Sequence, residues 1–126
     1  MIKKNVLSEA KAPVTAHCGE GKIDFVRLFA AADFVTDLSF IDYVELPPGA
    51  SIGIHEHGAN KEVYFIVSGS GTMTTNEQRY RVATGDLIVN KPGWRHGLEN
   101  DSSSALTVLV WEVACHDLGV SAQQGR

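Results

Sequence analysis

Two histidines and a glutamate lie close together near the middle of the 126-residue chain. His55 and His57 are separated by one residue, and Glu62 follows after a short polar stretch that contains a glycine. Imidazole nitrogens and carboxylate oxygens are ligands that divalent first-row metals accept. Because side chains two positions apart on a strand point to the same side, an extended segment would aim both imidazoles at one point. The pattern therefore indicates a metal site, although a histidine pair of this spacing is weak evidence by itself.

The spacing around these residues resembles the two signatures of the cupin superfamily. The first signature, G(X)5HXH(X)3-4E(X)6G, is matched at every fixed position, by Gly49, His55, His57, Glu62 and Gly69. The second, G(X)5PXG(X)2H(X)3N, is matched at all positions but one, by Gly85, Gly93, His96 and Asn100. Lys91 stands at the first proline position, and Pro92 follows it. The two motifs span residues 49–69 and 85–100.

The resemblance implies an all-β fold, the cupin double-stranded β-helix or jelly-roll barrel, with a metal inside it. It also implies the metal ligands, which are His55, His57, Glu62 and His96. Three imidazoles and one carboxylate without a thiolate suit Mn, Fe, Co, Ni or Zn. Four protein ligands leave two open positions on an octahedral ion, where a substrate can bind, so we expect Mn or Fe rather than Zn.

Short extended runs separated by turn residues are consistent with this fold. The runs are rich in β-branched and aromatic residues and end at Gly, Pro, Asn or Ser, which is typical of a sandwich or barrel of short strands. We predict strands within residues 39–49, 51–57, 62–71, 84–93 and 105–113, and a hairpin that joins 72–75 to 79–82. Residues 27–34, RLFAAADF, are predicted as a short helix.

Tyr64 is the candidate catalytic residue outside the metal ligands. Alternation along the strand places Tyr64 on the same side as Glu62, where its phenol could bind substrate or transfer a proton. The alternative is a core tyrosine whose hydroxyl finds a polar partner. Counting back from His55, Gly53 and Ser51 should also face the cavity and leave room for a ligand. One of the arginines Arg27, Arg79, Arg81 and Arg95 could hold a carboxylate or phosphate, or all could be surface residues.

Composition limits the remaining possibilities. The chain has 44% hydrophobic residues and a net charge of -4, with no basic run, so we expect no nucleic-acid partner. No apolar stretch is long enough to cross a bilayer, and no signal peptide is recognised, so we expect a cytoplasmic protein with no membrane association. His17 with Cys18, and Cys115 with His116, lack zinc-site spacing and are predicted to be ordinary residues with reduced thiols.

We expect one domain over residues 1–126, in which residues 1–38 add N-terminal strands that are candidates for a homodimer interface. The first functional hypothesis is a metalloenzyme that acts on a small oxygen-rich substrate, such as a sugar derivative or a hydroxy or keto acid. Isomerase, lyase or decarboxylase, and dioxygenase reactions all remain open. The alternative is a non-catalytic module that binds a small ligand with the help of a structural metal.

Overall fold

The computed structural model describes residues 2–56 and 58–115, and almost all regular structure in them is β-strand. Ten strands and one short 3-10 turn follow each other along this part of the chain. The strands are β1 (Ala12–Val14), β2 (Ile23–Ala30), β3 (Leu38–Leu46), β4 (Ser51–Glu56), β5 (Lys61–Ser68), β6 (Ser70–Thr75), β7 (Gln78–Ala83), β8 (Leu87–Asn90), β9 (Arg95–Glu99) and β10 (Leu106–Val113).

The strands form two antiparallel sheets. One has six strands in the order β1-β2-β3-β10-β5-β8, and the other has four in the order β4-β9-β6-β7. Side chains on the inner faces of the two sheets form the hydrophobic core, in which Ile66, Met73 and Val108 have no exposed surface. The all-β class is therefore confirmed, and the two-sheet arrangement fits the expected jelly roll.

The strand predictions for the middle and the end of the chain are confirmed, whereas the predicted helix at 27–34 is wrong. Residues 27–30 continue β2, and only Ala31–Asp33 form a single 3-10 turn. β2 pairs with β3 over most of its length, so its backbone hydrogen bonds are made between strands. Tertiary pairing thus keeps residues 27–30 extended, and the helical preference of alanine is met only in the 3-10 turn. β9 was missed because its sequence, RHGLE, lacks β-branched residues.

The segment before β2 crosses from the edge of the six-stranded sheet to β4 of the other sheet. Gly53 donates its backbone N–H to the carbonyl of Ala16 at 3.0 Å, and Ser51 donates to the carbonyl of Glu20 at 2.9 Å. A side chain at Gly53 would collide with the carbonyl oxygen of His17. The glycine is therefore needed for the close approach of two backbones.

A β-bulge in β4 changes which residues face the interior. The register with β9 shifts between Ile52 and His55, so both of these side chains line the interior cavity. Ser51 instead accepts a hydrogen bond from the N–H of Glu20 at 2.8 Å. The prediction that Ser51 and Gly53 line the cavity beside His55 is therefore wrong, because strict alternation does not hold across a bulge.

Two further points concern the described residues. Cys18 and Cys115 are both free thiols. Within 2–56 and 58–115, no helix is long and apolar enough to cross a membrane.

Candidate metal centre

Three of the four predicted ligands meet inside the barrel. His55 on β4, Glu62 on β5 and His96 on β9 offer ligand atoms that all lie within 4.8 Å of one another. Glu62 and His96 are almost fully buried. His55 and His96 are cross-strand partners, and Glu62 approaches them from the facing sheet. The fold thus brings together residues that are up to 41 positions apart in the sequence.

The imidazoles are oriented by hydrogen bonds. The Nδ1 atom of His55 lies 2.7 Å from the carbonyl oxygen of Gly53, which can only accept, so Nδ1 carries the proton and Nε2 is left as a ligand atom. Nε2 of His96 lies 2.9 Å from Oε1 of Glu62. Metal–ligand bonds of about 2.1 Å place two ligands at a right angle about 3.0 Å apart. Nε2 of His96 and Oε1 of Glu62 are therefore as far apart as two neighbouring ligands of one metal ion. The ligand atoms of this cluster thus fit a divalent ion.

His57, the fourth predicted ligand, lies outside the described residues. It directly follows β4, which carries His55. Its participation in the site stays a prediction.

Tyr64 lies behind this cluster and faces the interior, as alternation predicted. Its side chain is almost fully buried, and its ring meets the ring of His96 edge-on with centroids 5.6 Å apart. Burial raises the pKa of Tyr64 well above its ordinary value, and the charge of Glu62 and a hydrogen bond to it raise that pKa further. The phenol therefore stays protonated beside a predicted ligand.

A cavity of about 250 Å³ extends from the cluster to a charged pair on β2 and β3. Arg27 donates from Nε and Nη2 to the two carboxylate oxygens of Asp42, at 2.8 and 2.9 Å. Among the described residues that line the cavity, Arg27 is the only lysine or arginine. Arg79 and Arg81 instead make ion pairs with surface carboxylates, and Arg95 is exposed. Of the four candidate arginines, only Arg27 therefore faces the site.

Three acidic side chains are buried at or near this cavity. Asp42, Glu62 and Glu112 are each at most 8% exposed. The hydrogen bonds to Asp42 raise the pKa of Arg27, and the charges of all three carboxylates raise it further. Burial also raises the pKa of Asp42, against the opposing effect of Arg27.

His17 is a residue of the cavity that the sequence analysis missed. Its ring stacks on that of His55 with centroids 3.5 Å apart and an angle of 7° between the planes. Its backbone has a φ of 50°, in the left-handed region. No spacing pattern connects His17 with the signatures at 49–100, so only the path of the N-terminal segment reveals its position.

Lys91 leaves the turn before His96 intact. The N–H of Trp94 bonds to the carbonyl of Lys91 at 3.1 Å, and Gly93 has a φ of 81°. Pro92 and Gly93 thus occupy the central positions of a tight turn, where proline and glycine are favoured. The ammonium of Lys91 lies 5.5 Å from the centre of the Trp94 ring, and Lys91 is not among the residues that line the cavity.

Comparison with known proteins agrees with this architecture. Residues 42–112 match the family model described as "Cupin domain". An "Oxalate-binding protein" of Thermotoga maritima is 28% identical over 92 residues, which are 73% of this chain and 76% of that protein.

Two solved structures extend the likeness in fold. One is described as a predicted oxalate decarboxylase from Thermotoga maritima, with a TM-score of 0.88 and 22% identity, covering 90% of this chain and all of the other. The other is a polyketide cyclase from Streptomyces resistomycificus, with a TM-score of 0.76 and 17% identity, covering 92% of this chain and 80% of the other.

Proposed function

The chain belongs to the cupin family, and from that premise we propose that it binds one divalent transition metal and, through that metal, a small oxygen-rich acid on which it acts as an enzyme. The ligands in this proposal are His55, His57, Glu62 and His96. Mn or Fe is the preferred ion, because an octahedral ion with four protein ligands keeps two positions for the acid.

The observation that carries the proposal is the convergence of His55, Glu62 and His96 in a buried cavity. A buried cluster of ionisable side chains destabilises a core unless something compensates the charge. A dication held by these three side chains would provide that compensation. When bound, the ion supplies a Lewis acid that polarises a chelated carboxylate or carbonyl oxygen.

Residues of this chain provide the rest of the site. Arg27 lies on the wall of the cavity, and its Nη1 atom takes no part in the two hydrogen bonds to Asp42, so it can donate to an oxygen of the ligand. The buried phenol of Tyr64 is a proton donor next to Glu62. The cavity volume of about 250 Å³ suits a molecule of a few carbon atoms, which agrees with a hydroxy or keto acid or oxalate.

A second candidate function is binding without turnover. It is favoured by the name of the Thermotoga maritima relative, which is described as an oxalate-binding protein. In that case the metal and the cavity would serve recognition only.

One experiment tests the proposal and separates the two functions. Metal-free protein is loaded with Mn(II), titrated calorimetrically with oxalate and glycolate, and then assayed for carbon dioxide release and oxygen uptake. Saturable binding that needs the metal and is lost in His96→Ala supports the site, and turnover in addition supports the enzyme. Binding without turnover supports the second function, and no metal-dependent binding to the folded protein contradicts both.

We also propose a homodimer, which the outer face of the six-stranded sheet supports. Here Val63 and Phe65 of β5 pair with Val89 and Leu87 of β8, and Leu87 is 61% exposed. These four apolar residues can pack against a second copy of the same face. Sedimentation equilibrium should give twice the 13.6 kDa mass of the chain. Leu87→Lys should give the monomer, whereas Gln78→Lys, at an exposed position on β7 of the other sheet, should leave the dimer intact.

A further inference from the structure

The side chains that line the cavity change from mostly polar to apolar along the strands of the six-stranded sheet. At the level of the ion pair, four neighbouring strands carry residues that are paired in turn, which are Arg27, Asp42, Val110 and Tyr64. Two positions further along β2 and β3, Phe25 pairs with Val44. Side chains two positions apart on a strand point to the same face. Phe25 and Val44 therefore face the same cavity, one level away from the ion pair.

The second level forms an apolar end of the cavity. This apolar end consists of four lining residues, which are Ile23, Phe25, Val44 and Ile52. Ile23 is two positions from Phe25 on β2, and Ile52 precedes the predicted ligand His55 on β4 of the facing sheet. Ile23, Val44 and Ile52 are 1%, 3% and 6% exposed. The cavity is thus bounded by the metal cluster and the ion pair on one side and by buried hydrocarbon on the other.

This division selects among the small acids that the metal cluster can hold. A hydroxyl or carboxylate group placed against buried hydrocarbon loses its hydrogen bonds to water without replacement, which disfavours binding. A hydrocarbon group in the same place favours binding in proportion to the apolar area removed from water. Oxalate and glycolate have no hydrocarbon side chain, and a sugar acid carries a hydroxyl group along its whole length. None of these three complements both ends of the cavity.

We propose that the ligand is a 2-hydroxy or 2-oxo acid with a hydrocarbon side chain of about three or four carbon atoms. Its oxygens bind at the metal cluster, and its side chain packs against Phe25, Val44 and Ile52. The cavity volume of about 250 Å³ accommodates a molecule of this size. This assignment rests on the proposed function, since it needs an acid held at the cluster. Phe25 and Val44 lie outside both cupin signatures, so the apolar end is a feature of this chain rather than of the motifs.

The first test is a series of ligands on the Mn-loaded, full-length wild-type protein. Glycolate, lactate and 2-hydroxyisovalerate share the same chelating group and differ only in the size of the hydrocarbon side chain. Affinity measured by calorimetry should rise about fourfold for each carbon atom added, and hence about 60-fold from glycolate to 2-hydroxyisovalerate. Gluconate, which carries hydroxyl groups instead, should bind no more tightly than glycolate.

The second test changes the apolar end and compares a neighbouring core position. Val44→Thr replaces one methyl group by a hydroxyl group of similar size, so it should weaken 2-hydroxyisovalerate binding about fourfold and leave glycolate affinity unchanged. The matched control is Val108→Thr. Val108 is the cross-strand partner of Val44 and has no exposed surface, but it is not among the described residues that line the cavity. This control should lower the stability in urea as Val44→Thr does, without changing either affinity.

The outcomes separate failure of this assignment from failure of the proposed function. If glycolate, oxalate or gluconate binds the wild-type protein as tightly as 2-hydroxyisovalerate, the apolar end does not contact the ligand and only this assignment is overturned. Equal weakening of 2-hydroxyisovalerate binding by Val44→Thr and Val108→Thr also overturns it, because the effect then follows stability rather than contact. If the Mn-loaded protein binds none of these acids, the proposed function fails as well. The series on the wild-type protein decides the question even if Val44→Thr does not fold.

Discussion

The ion pair on the wall of the cavity gives a prediction whose size follows from its geometry. Arg27→Met removes a guanidinium that makes two hydrogen bonds to Asp42, whose side chain is 6% exposed. Breaking a fully buried pair destabilises a protein by about 3–5 kcal/mol. Because Arg27 is 47% exposed, water can partly replace its guanidinium. We therefore expect Arg27→Met to lower the free energy of unfolding by about 2 kcal/mol. The matched control is Arg79→Met. Arg79 forms a 3.4 Å ion pair with Glu99 in which both side chains are exposed, so its loss should lower the free energy of unfolding by less than about 0.5 kcal/mol.

Urea unfolding at neutral pH measures the loss of stability in the Arg27 and Arg79 variants. Repeating the measurement at lower pH tests whether the buried charge of Asp42 causes the loss. Burial already raises the pKa of Asp42, and removal of Arg27 raises that pKa further. A carboxyl group whose pKa is raised on folding destabilises the protein as the pH rises through the folded-state pKa, and this effect disappears in acid. The deficit of Arg27→Met should therefore shrink as the pH falls. An equal loss in the Arg27 and Arg79 variants, or a deficit that does not change with pH, would refute the reasoning.

Two other substitutions test the surroundings of the cluster. Gly53→Ala introduces a side chain that collides with the carbonyl of His17 and should lower the melting temperature by about 8 °C through the loss of roughly two backbone hydrogen bonds. The control is Gly58→Ala, where the added Cβ meets open space but the backbone φ is 61°. This variant should lower the melting temperature by about half as much. Equal effects of the two substitutions would contradict the close backbone approach at Gly53. Tyr64→Phe removes the buried hydroxyl group beside Glu62 and should weaken Mn(II) binding about tenfold in a calorimetric titration. Unchanged affinity would show that the phenol does not support the ligand.

The sequence predicts the strands at the centre of the site better than their surroundings. β5 is identified by its run of β-branched and aromatic residues, and its alternation correctly places Glu62 and Tyr64 on the inner face. Alternation fails in β4, where the bulge after Ile52 moves Ser51 out of the cavity. A bulge is set by pairing with β9 and by the segment that lies over Gly53. Neither contact leaves a periodic signal in β4 itself.

Residues that reach the cavity from outside the motifs are the least predictable. His17 depends on the path of the N-terminal segment between the sheets. Arg27 could be named as a candidate, but only the register between β2 and β3 distinguishes it from the surface arginines. These features result from long-range strand pairing, which single-residue preferences do not encode.

Anomalous diffraction from crystals of the Mn-loaded protein tests the metal centre most directly. The account predicts one strong manganese peak per chain, within about 2.3 Å of the imidazoles of His55 and His96 and of a carboxylate oxygen of Glu62. The peak should be absent from crystals of His96→Ala treated in the same way. A manganese peak elsewhere, or folded wild-type protein without a peak among these three side chains, would contradict the central claim.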